Sequence, residues 1–292
     1  LVVFSVVPLS FFVLRRAWGA PARLMNRPGT PEDAIQLTRQ RIGTDKPLLV
    51  QYRNFLAGLA RGDLGVSFRG EQSAAAAIAA ALPNTLLLGT MTMIVASLVG
   101  LGLGLAAALR PNSLVDRAIL VYVALAQATP NFWLGVVLVL VFSIHLRWLP
   151  AIDMSGPQSF ILPVATLAIT LTPLLIRAVR QSFLETLGED FVRAARARGL
   201  SERRIRFVHT LKVAAIPLVT LIGLPAGFVL GGAYVVESIF NWPGLGKLTL
   251  DAIASRDFPL IQGGVLVVAV VFVVVNFAVD LLYTVLDPRI RY

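Results

Sequence analysis

The 292-residue sequence contains no cysteine. That excludes disulfides, thiolate metal sites and a cysteine nucleophile. Charge is scarce as well: Asp, Glu, Lys and Arg make up only 14% of the residues, against about 25% in a soluble globular protein. Histidine is limited to His145 and His209, which excludes a histidine-rich metal cluster. What fills the space is apolar: 57% of the residues are hydrophobic and the mean hydropathy is +0.77. A water-soluble fold of this composition has too little polar surface to cover its core, so the bilayer is the expected solvent. Soluble enzyme, secreted disulfide scaffold and disordered tail are set aside on these grounds.

A spanning helix needs about 20 mostly apolar residues, because about 30 Å of hydrocarbon is crossed at 1.5 Å per residue. Five stretches qualify: Thr85–Leu109, Ala118–Leu146, Ile161–Ala178, Ala214–Val236 and Gln262–Leu286. Internal prolines such as Pro130, Pro173, Pro217 and Pro225 do not exclude helix, since neighbours can satisfy the freed backbone groups. A sixth apolar run, Leu1–Leu14, covers about 21 Å and reads as a first span that has lost its start. A signal-peptide remnant ending near Ala17–Ala20 is the competing reading. The fold class is therefore an all-α membrane protein of six transmembrane helices, the first one truncated.

Orientation follows from Lys and Arg in short loops. The segment 177–213 carries Arg177, Arg180, Arg193, Arg196, Arg198, Arg203, Arg204, Arg206 and Lys212, and is placed in the cytoplasm with both termini. The segment Arg15–Pro83 falls on the outer side despite its basic residues, as long loops translocate largely regardless of charge. Within it, Pro31-Glu32-Asp33 reads as a helix start and Gly62-Asp63-Leu64-Gly65 as a turn. The net charge of +10 then sits largely beside anionic lipid, and nucleic acid is not needed to explain it. The expected organisation is 1–14 first helix (partial), 15–83 extracytoplasmic segment, 84–286 transmembrane domain with a cytoplasmic loop 179–213, and 287–292 cytoplasmic tail.

Catalytic constellations are missing. The two histidines fall on loops at opposite membrane faces and cannot share a metal or a triad. Asp280 is the one acid well inside a span, open between a functional role and a helix-end position near the interface. Gly244-Leu245-Gly246-Lys247-Leu248-Thr249 fails the phosphate-loop pattern because Asn241 replaces its first glycine and Leu248 follows the lysine. Gly100 and Gly104 form a G-x-x-x-G, which serves packing within the chain and contact between subunits equally well.

The informative element lies in the Arg-rich loop. In Glu189-Asp190-Phe191-Val192-Arg193-Ala194-Ala195-Arg196-Ala197-Arg198-Gly199, acids open the run and arginines close it, matching the helix dipole. Gly199 suits the left-handed position after a helix, and Ser201 is expected to cap a second short helix. Two helices bent at Gly199 make a compact knob, with Ala194 and Ala195 as its low-profile face. Such a knob reads either as a docking element for a cytoplasmic partner or as an amphipathic loop on lipid headgroups.

At this loop the chain resembles the permease subunits of bacterial ABC importers, through their E-A-A-x3-G-x9-I-x-L-P signature. Ala194, Ala195, Gly199 and Leu211 match it, while Arg193, His209 and Lys212 depart from it. The run Asp190–Ser201, Val236-Glu237-Ser238-Ile239-Phe240, Trp242-Pro243-Gly244-Leu245-Gly246 and Asp287-Pro288-Arg289-Ile290-Arg291 are similar to the dipeptide/oligopeptide/nickel branch. So are Asp45-Lys46-Pro47, Gln51-Tyr52 and Gly62–Gly65, whereas the usual P-G-D-P is degraded to Trp18-Gly19-Ala20-Pro21.

The resemblance implies a type I ABC importer permease fold in a bacterial inner membrane. It implies a second homologous permease subunit, two cytoplasmic ATPases that carry ATP and Mg, and an extracytoplasmic solute-binding protein. This chain itself would be non-catalytic and bind no cofactor or metal. Asp190, Arg193, Ala194, Ala195, Arg198, Gly199 and Leu200 would couple to the ATPase. Glu237, Trp242, Pro243, Gly244 and Gly246 would lie at the outer mouth, on the binding-protein side, or else form a structured turn that packs the last helices. Short peptides are the expected cargo, with nickel and glutathione-like solutes as alternatives. An autonomous secondary transporter or channel is the competing class, and it would call for more intramembrane ionisable groups than Asp280.

Overall fold

A computed structural model describes residues 2–18, 30–68, 72–151, 156–211, 213 and 233–286. Helices dominate them, and among the described residues the β pairing is a single antiparallel bridge, Val66 to Ser73. The chain divides into two compact units, Leu1–Thr85 with Pro243–Val273 and Leu86–Trp242 with Val274–Tyr292.

The first unit contains α1 (Val2–Trp18), α2 (Glu32–Ile42), α3 (Leu48–Ala60) and the start of α4 (Ala74–Leu109). Later in the chain it takes in α11 (Leu245–Ser255) and the start of α12 (Phe258–Leu286). Helices α1 and α3 meet through aromatic rings. Phe11 is fully buried, with Tyr52 at 5.1 Å and Phe55 at 5.5 Å between centroids. The Arg15 guanidinium lies 3.7 Å from the Phe11 centroid and donates through Nε to Gln51 Oε1 at 2.8 Å, a cation–π stack completed by a hydrogen bond. Glu32 and Asp33 occupy the first turn of α2 behind Pro31, as expected. The Gly62–Gly65 turn forms too, with Gly65 N–H donating to Asp63 Oδ1 at 2.8 Å.

The second unit holds the rest of α4 and α12, α5 (Leu114–Ala128), and α6 (Asn131–Leu138), which continues as π-helix over Val139–His145. After a 3-10 turn at Pro157–Phe160 comes α7 (Ile161–Leu187), then α8 (Asp190–Ala197). Helix α9 (Glu202–Arg204) widens into π-helix over Ile205–Thr210, and α10 covers 233–239. Helix α7 is the spine of this unit. A Cβ built on Gly100 would stand 2.6 Å from Leu175 Cβ, and one on Gly104 2.6 Å from Val179 Cβ and 3.0 Å from the Ile176 carbonyl. The G-x-x-x-G motif thus seats α4 against α7 within one chain, which decides between the two readings of it. Helix α5 packs on α7 through Ile119, Val123 and Ile176, and the Tyr122 and Thr172 hydroxyls share a hydrogen bond of 2.7 Å.

Among the described residues, three helices are long and apolar enough to cross a membrane: Ala74–Leu109, Pro157–Leu187 and Phe258–Val279. Their bounds correct the expected ones. The run expected at Thr85 starts at Ala74, because the alanine-rich turns before it are strong helix formers that hydropathy alone does not flag. The run expected to stop at Ala178 continues to Leu187. Beyond Arg177, Val179 and Phe183 stay buried, continuing the helical spacing from Ile176. Ala118–Leu146 is not one continuous span but two helices bent by 102°. Thr129, just before Pro130, is extended at φ −92° and ψ 118°, as proline demands of the residue before it. Of the run Leu1–Leu14, residues 2–14 lie within the 17-residue α1, and Leu1 lies outside the described residues. Most of Ala214–Val236, the Gly19-Ala20-Pro21 part of the degraded motif and the tail 287–292 lie outside the described residues, as does the side chain of Asp280.

Replacing Gly104 by leucine drives a side chain into Val179, an overpacking worth about 1–3 kcal/mol. The thermal midpoint of the purified chain in detergent is expected to fall. Gly102→Ala, with nothing within 4 Å of the added Cβ, is expected to leave it unchanged.

Candidate functional site

The bent knob forms after α7. Glu189 takes the N-cap position of α8 with extended backbone, φ −66° and ψ 151°, without a side-chain cap. At the other end Gly199 is left-handed at φ +77°. Its N–H donates to the Arg196 carbonyl at 2.9 Å, and the Leu200 N–H donates to the Ala195 carbonyl at 3.2 Å. That pair of bonds is the Schellman motif, which satisfies the last carbonyls of a helix. Ser201 then holds the N-cap position of α9, but its side chain makes no capping bond. Rather than a hydroxyl cap, the second helix is held by its side-chain core and by charge.

Val192, Ala195 and Ile205 are buried together, with Leu187 and Leu200 against them. Over this small core, Glu202 accepts from Arg196 Nε at 2.6 Å and lies 3.3 Å from Arg206 Nε. The Arg196 bond is the main reason the Glu202 carboxyl lies below the usual carboxylate range, and the charges of Arg196 and Arg206 add to it. On the outward face, Asp190 and Arg193 form an exposed pair at 3.3 Å. Ala194 and Arg198 are exposed beside them. The two alanines therefore do not share a face: Ala195 is turned into the knob and Ala194 faces out.

Just before the knob, α7 carries Arg180, one of the basic residues behind the expected cytoplasmic placement of this segment. Arg180 donates through Nε to Asp116 Oδ1 at 2.8 Å and through a terminal nitrogen to Oδ2 at 2.9 Å. Asp116 is 1% exposed. Its Oδ2 also accepts from the Asn112 N–H at 2.8 Å, and its own N–H donates to Ser113 Oγ at 3.3 Å. Ser113-x-x-Asp116 is a capping-box spacing, so the acid at the helix start was legible. Its partner 64 residues away in sequence was not.

The family model described as "Binding-protein-dependent transport system inner membrane component" matches residues 100–292. The chain belongs to this family. It is 39% identical over 290 residues to the glutathione transport system permease protein GsiC of Escherichia coli (strain K12), covering 99% of this chain and 95% of that protein. It is 40% identical over 287 residues to the same-named protein of Salmonella typhi, covering 98% and 94%. Among solved structures, the inward-facing MetNI methionine ABC transporter matches with a TM-score of 0.61 at 16% identity, over 72% of this chain and 96% of that one. An amino acid ABC transporter matches at 0.53 and 16%, over 73% and 94%. The fold is that of type I ABC importer permeases.

This permease is thus a multi-pass membrane subunit of an ABC importer, of a family whose permeases are non-catalytic transport subunits. Permeases of the family work with ATPase and binding-protein partners. Among its described residues no three His, Asp or Glu side chains group as a metal site. The residues expected at an outer mouth are mostly interior. Glu237 and Trp242 are buried, Trp242 lying edge-on to Phe160 at 4.7 Å between centroids and donating its backbone N–H to the Glu237 carbonyl at 2.8 Å. Gly244 and Gly246 are buried and Pro243 is exposed. The Pro243 carbonyl accepts from Asn84 Nδ2 at 2.8 Å, and Thr85 Oγ1 accepts from the Leu245 N–H at 2.7 Å. Lys247, in the run that mimics a phosphate loop, pairs with Asp251 at 2.6 Å. A further buried acid, to which the sequence pattern does not point, is Asp257, 1% exposed. It accepts from Ser67 Oγ and from the Phe68 N–H, tying these two residues to the start of α12.

Because Glu202 has a depressed folded-state pKa, its stabilisation is complete above the ordinary carboxylate pKa of about 4.3 and lost as pH falls through the lowered value. Hydrogen exchange at amides 195–200, corrected for intrinsic rate, is expected to stay flat from about pH 7 to 5 and to quicken below about pH 4. Glu202→Gln is expected to show the faster exchange already at neutral pH.

Proposed function

We propose that the chain is one of two homologous permeases that together form the membrane path of an ATP-driven importer for a short peptide. An extracytoplasmic binding protein delivers the cargo, and two cytoplasmic ATPases bind the ATP and Mg that this chain does not. The observation that carries the reading is the identity of 39% across 99% of the chain to permeases named for glutathione transport. Glutathione is itself a short peptide. The Arg-rich segment 177–213 faces the cytoplasm, in line with the concentration of Arg in short inner loops, and both termini lie on that side. The turn from Glu237 to Gly246 lies towards the outer face, where its buried residues shape the mouth by packing and Pro243 is its exposed point.

The knob is the seat of the ATPase. Asp190, Arg193, Ala194 and Arg198 supply the outward contacts, while Ala195, Gly199 and Leu200 fix the bend that presents them. Closure of the ATPases on ATP displaces the knob, and rigid helices carry that displacement to the path. Such coupling requires differential contacts in two discrete states.

Two measurements test this reading. The first is mass spectrometry of proteins that co-purify with the chain from its own membrane in mild detergent. A P-loop ATPase and a second permease are expected; a solitary chain that transports in vesicles without ATP would move it to the autonomous transporters. The second is uptake by Gly199→Val in the reconstituted complex. A β-branched residue at this left-handed position is strained by about 1–2 kcal/mol, and uptake is expected to fall on the order of tenfold with membrane insertion retained. Gly43→Val is the control. It has φ +70° and open space around its Cβ, hence equal strain, but it closes α2 and is expected to leave uptake near normal.

A further inference from the structure

We infer that Asp116 and Arg180 are positioning residues that make α5, α7 and the knob a single rigid lever. The inference rests on the importer reading above and names the members through which the knob's motion travels. Three observations carry it. First, the pair is two-pronged and buried on the Asp116 side, with both carboxylate oxygens engaged by Arg180. Such a pair contributes little net stability, because desolvation offsets its attraction, but it fixes registry between the elements it joins. Second, the pair stands at the moving end. Arg180 lies two turns before the end of α7 at Leu187, where the knob begins, and Asp116 lies in the first turn of α5. Through the Asn112 N–H it also holds the turn between α4 and α5, where Asn112 is left-handed at φ 63°.

Third, apolar contacts continue the same grip on both sides. Ala108 and Phe183 are buried together, with Leu187 and Leu211 against them, so the chain entering and the chain leaving the knob are packed on one another. Further along, Ile176 meets Ala107, Ile119 and Val123. Among the described residues, the charged pair and the Tyr122–Thr172 hydrogen bond are directional contacts between α5 and α7, and of the two only the charged pair is ionic and two-pronged. Apolar side chains tolerate sliding and rotation, whereas a guanidinium fork on a carboxylate does not. Without it, a push on the knob is expected to be taken up as slippage between α5 and α7.

The test uses the complete complex with its ATPases and binding protein, reconstituted in lipid vesicles. The permease has no cysteine, so Arg203→Cys with Val121→Cys reports one spin-label distance from knob to α5 inside one chain. Both positions are exposed. In the wild-type background this distance is expected to be narrow and the same in nucleotide-free and ATP-trapped complexes. With Asp116→Asn, which keeps the shape but removes the charge, the distribution is expected to broaden. Uptake per ATP hydrolysed is then expected to fall on the order of fivefold, with ATP hydrolysis itself retained. Arg180→Lys keeps the charge without the fork and is expected to behave the same way. A wild-type distance that shifts between the two states, or wild-type coupling in both variants, would overturn the lever. Cargo uptake by the wild-type chain without ATPases would instead overturn the importer reading, while the spin-label distance would still decide the lever.

Discussion

The second unit depends on how closely α4 can approach α7. A membrane helix gains little from the hydrophobic effect against its neighbours, since lipid is as apolar as leucine, and close backbone approach supplies dispersion in its place. Gly100 and Gly104 allow that approach, because any side chain there would collide with Leu175 and Val179. With α7 held at that distance, its other face meets α5 through Ile176 and Thr172. Its far end projects the knob. Remove the glycines and every later contact of α7 loses its reference position.

Buried carboxylates do parallel work in the two units. Asp116 gathers a guanidinium and a backbone N–H; Asp257 gathers the Ser67 hydroxyl and the Phe68 N–H. Each opens a helix and reaches back to a distant or preceding segment that would otherwise be a loose connection. Low polarity raises the cost of leaving such groups unpaired. The same condition that makes acids rare in this chain makes the few interior ones informative about its architecture.

Apolar run length was enough to read the class of fold and most helices, because hydrocarbon thickness imposes a length that periodic packing does not. The knob was legible for a local reason: a left-handed residue after a helix demands glycine, and Gly199 supplies it. Features that depend on long-range partners were not legible. Ala194 and Ala195 are chemically alike, and only the positions of Ile205 and Leu200 decide which is buried. Arg180 looked like one more inner-loop charge, since nothing local points to Asp116. Glu237 and Trp242 were singled out through the family resemblance alone, and nothing local in the sequence shows that both side chains are buried.

The 102° elbow between α5 and α6 interrupts a ladder of backbone hydrogen bonds. Pro130 has no N–H to give, and its ring ends the helical run of donors that the last α5 carbonyls need. The Thr129 hydroxyl satisfies one of them, the Leu125 carbonyl, at 2.8 Å. Acyl chains have no donors to offer the rest, and unsatisfied carbonyls are tolerated at membrane depth only beside protein or water. The last α5 carbonyls therefore call for water or protein beside the elbow, and a probe of water access placed there would sense a different solvent from one placed on a lipid-facing turn.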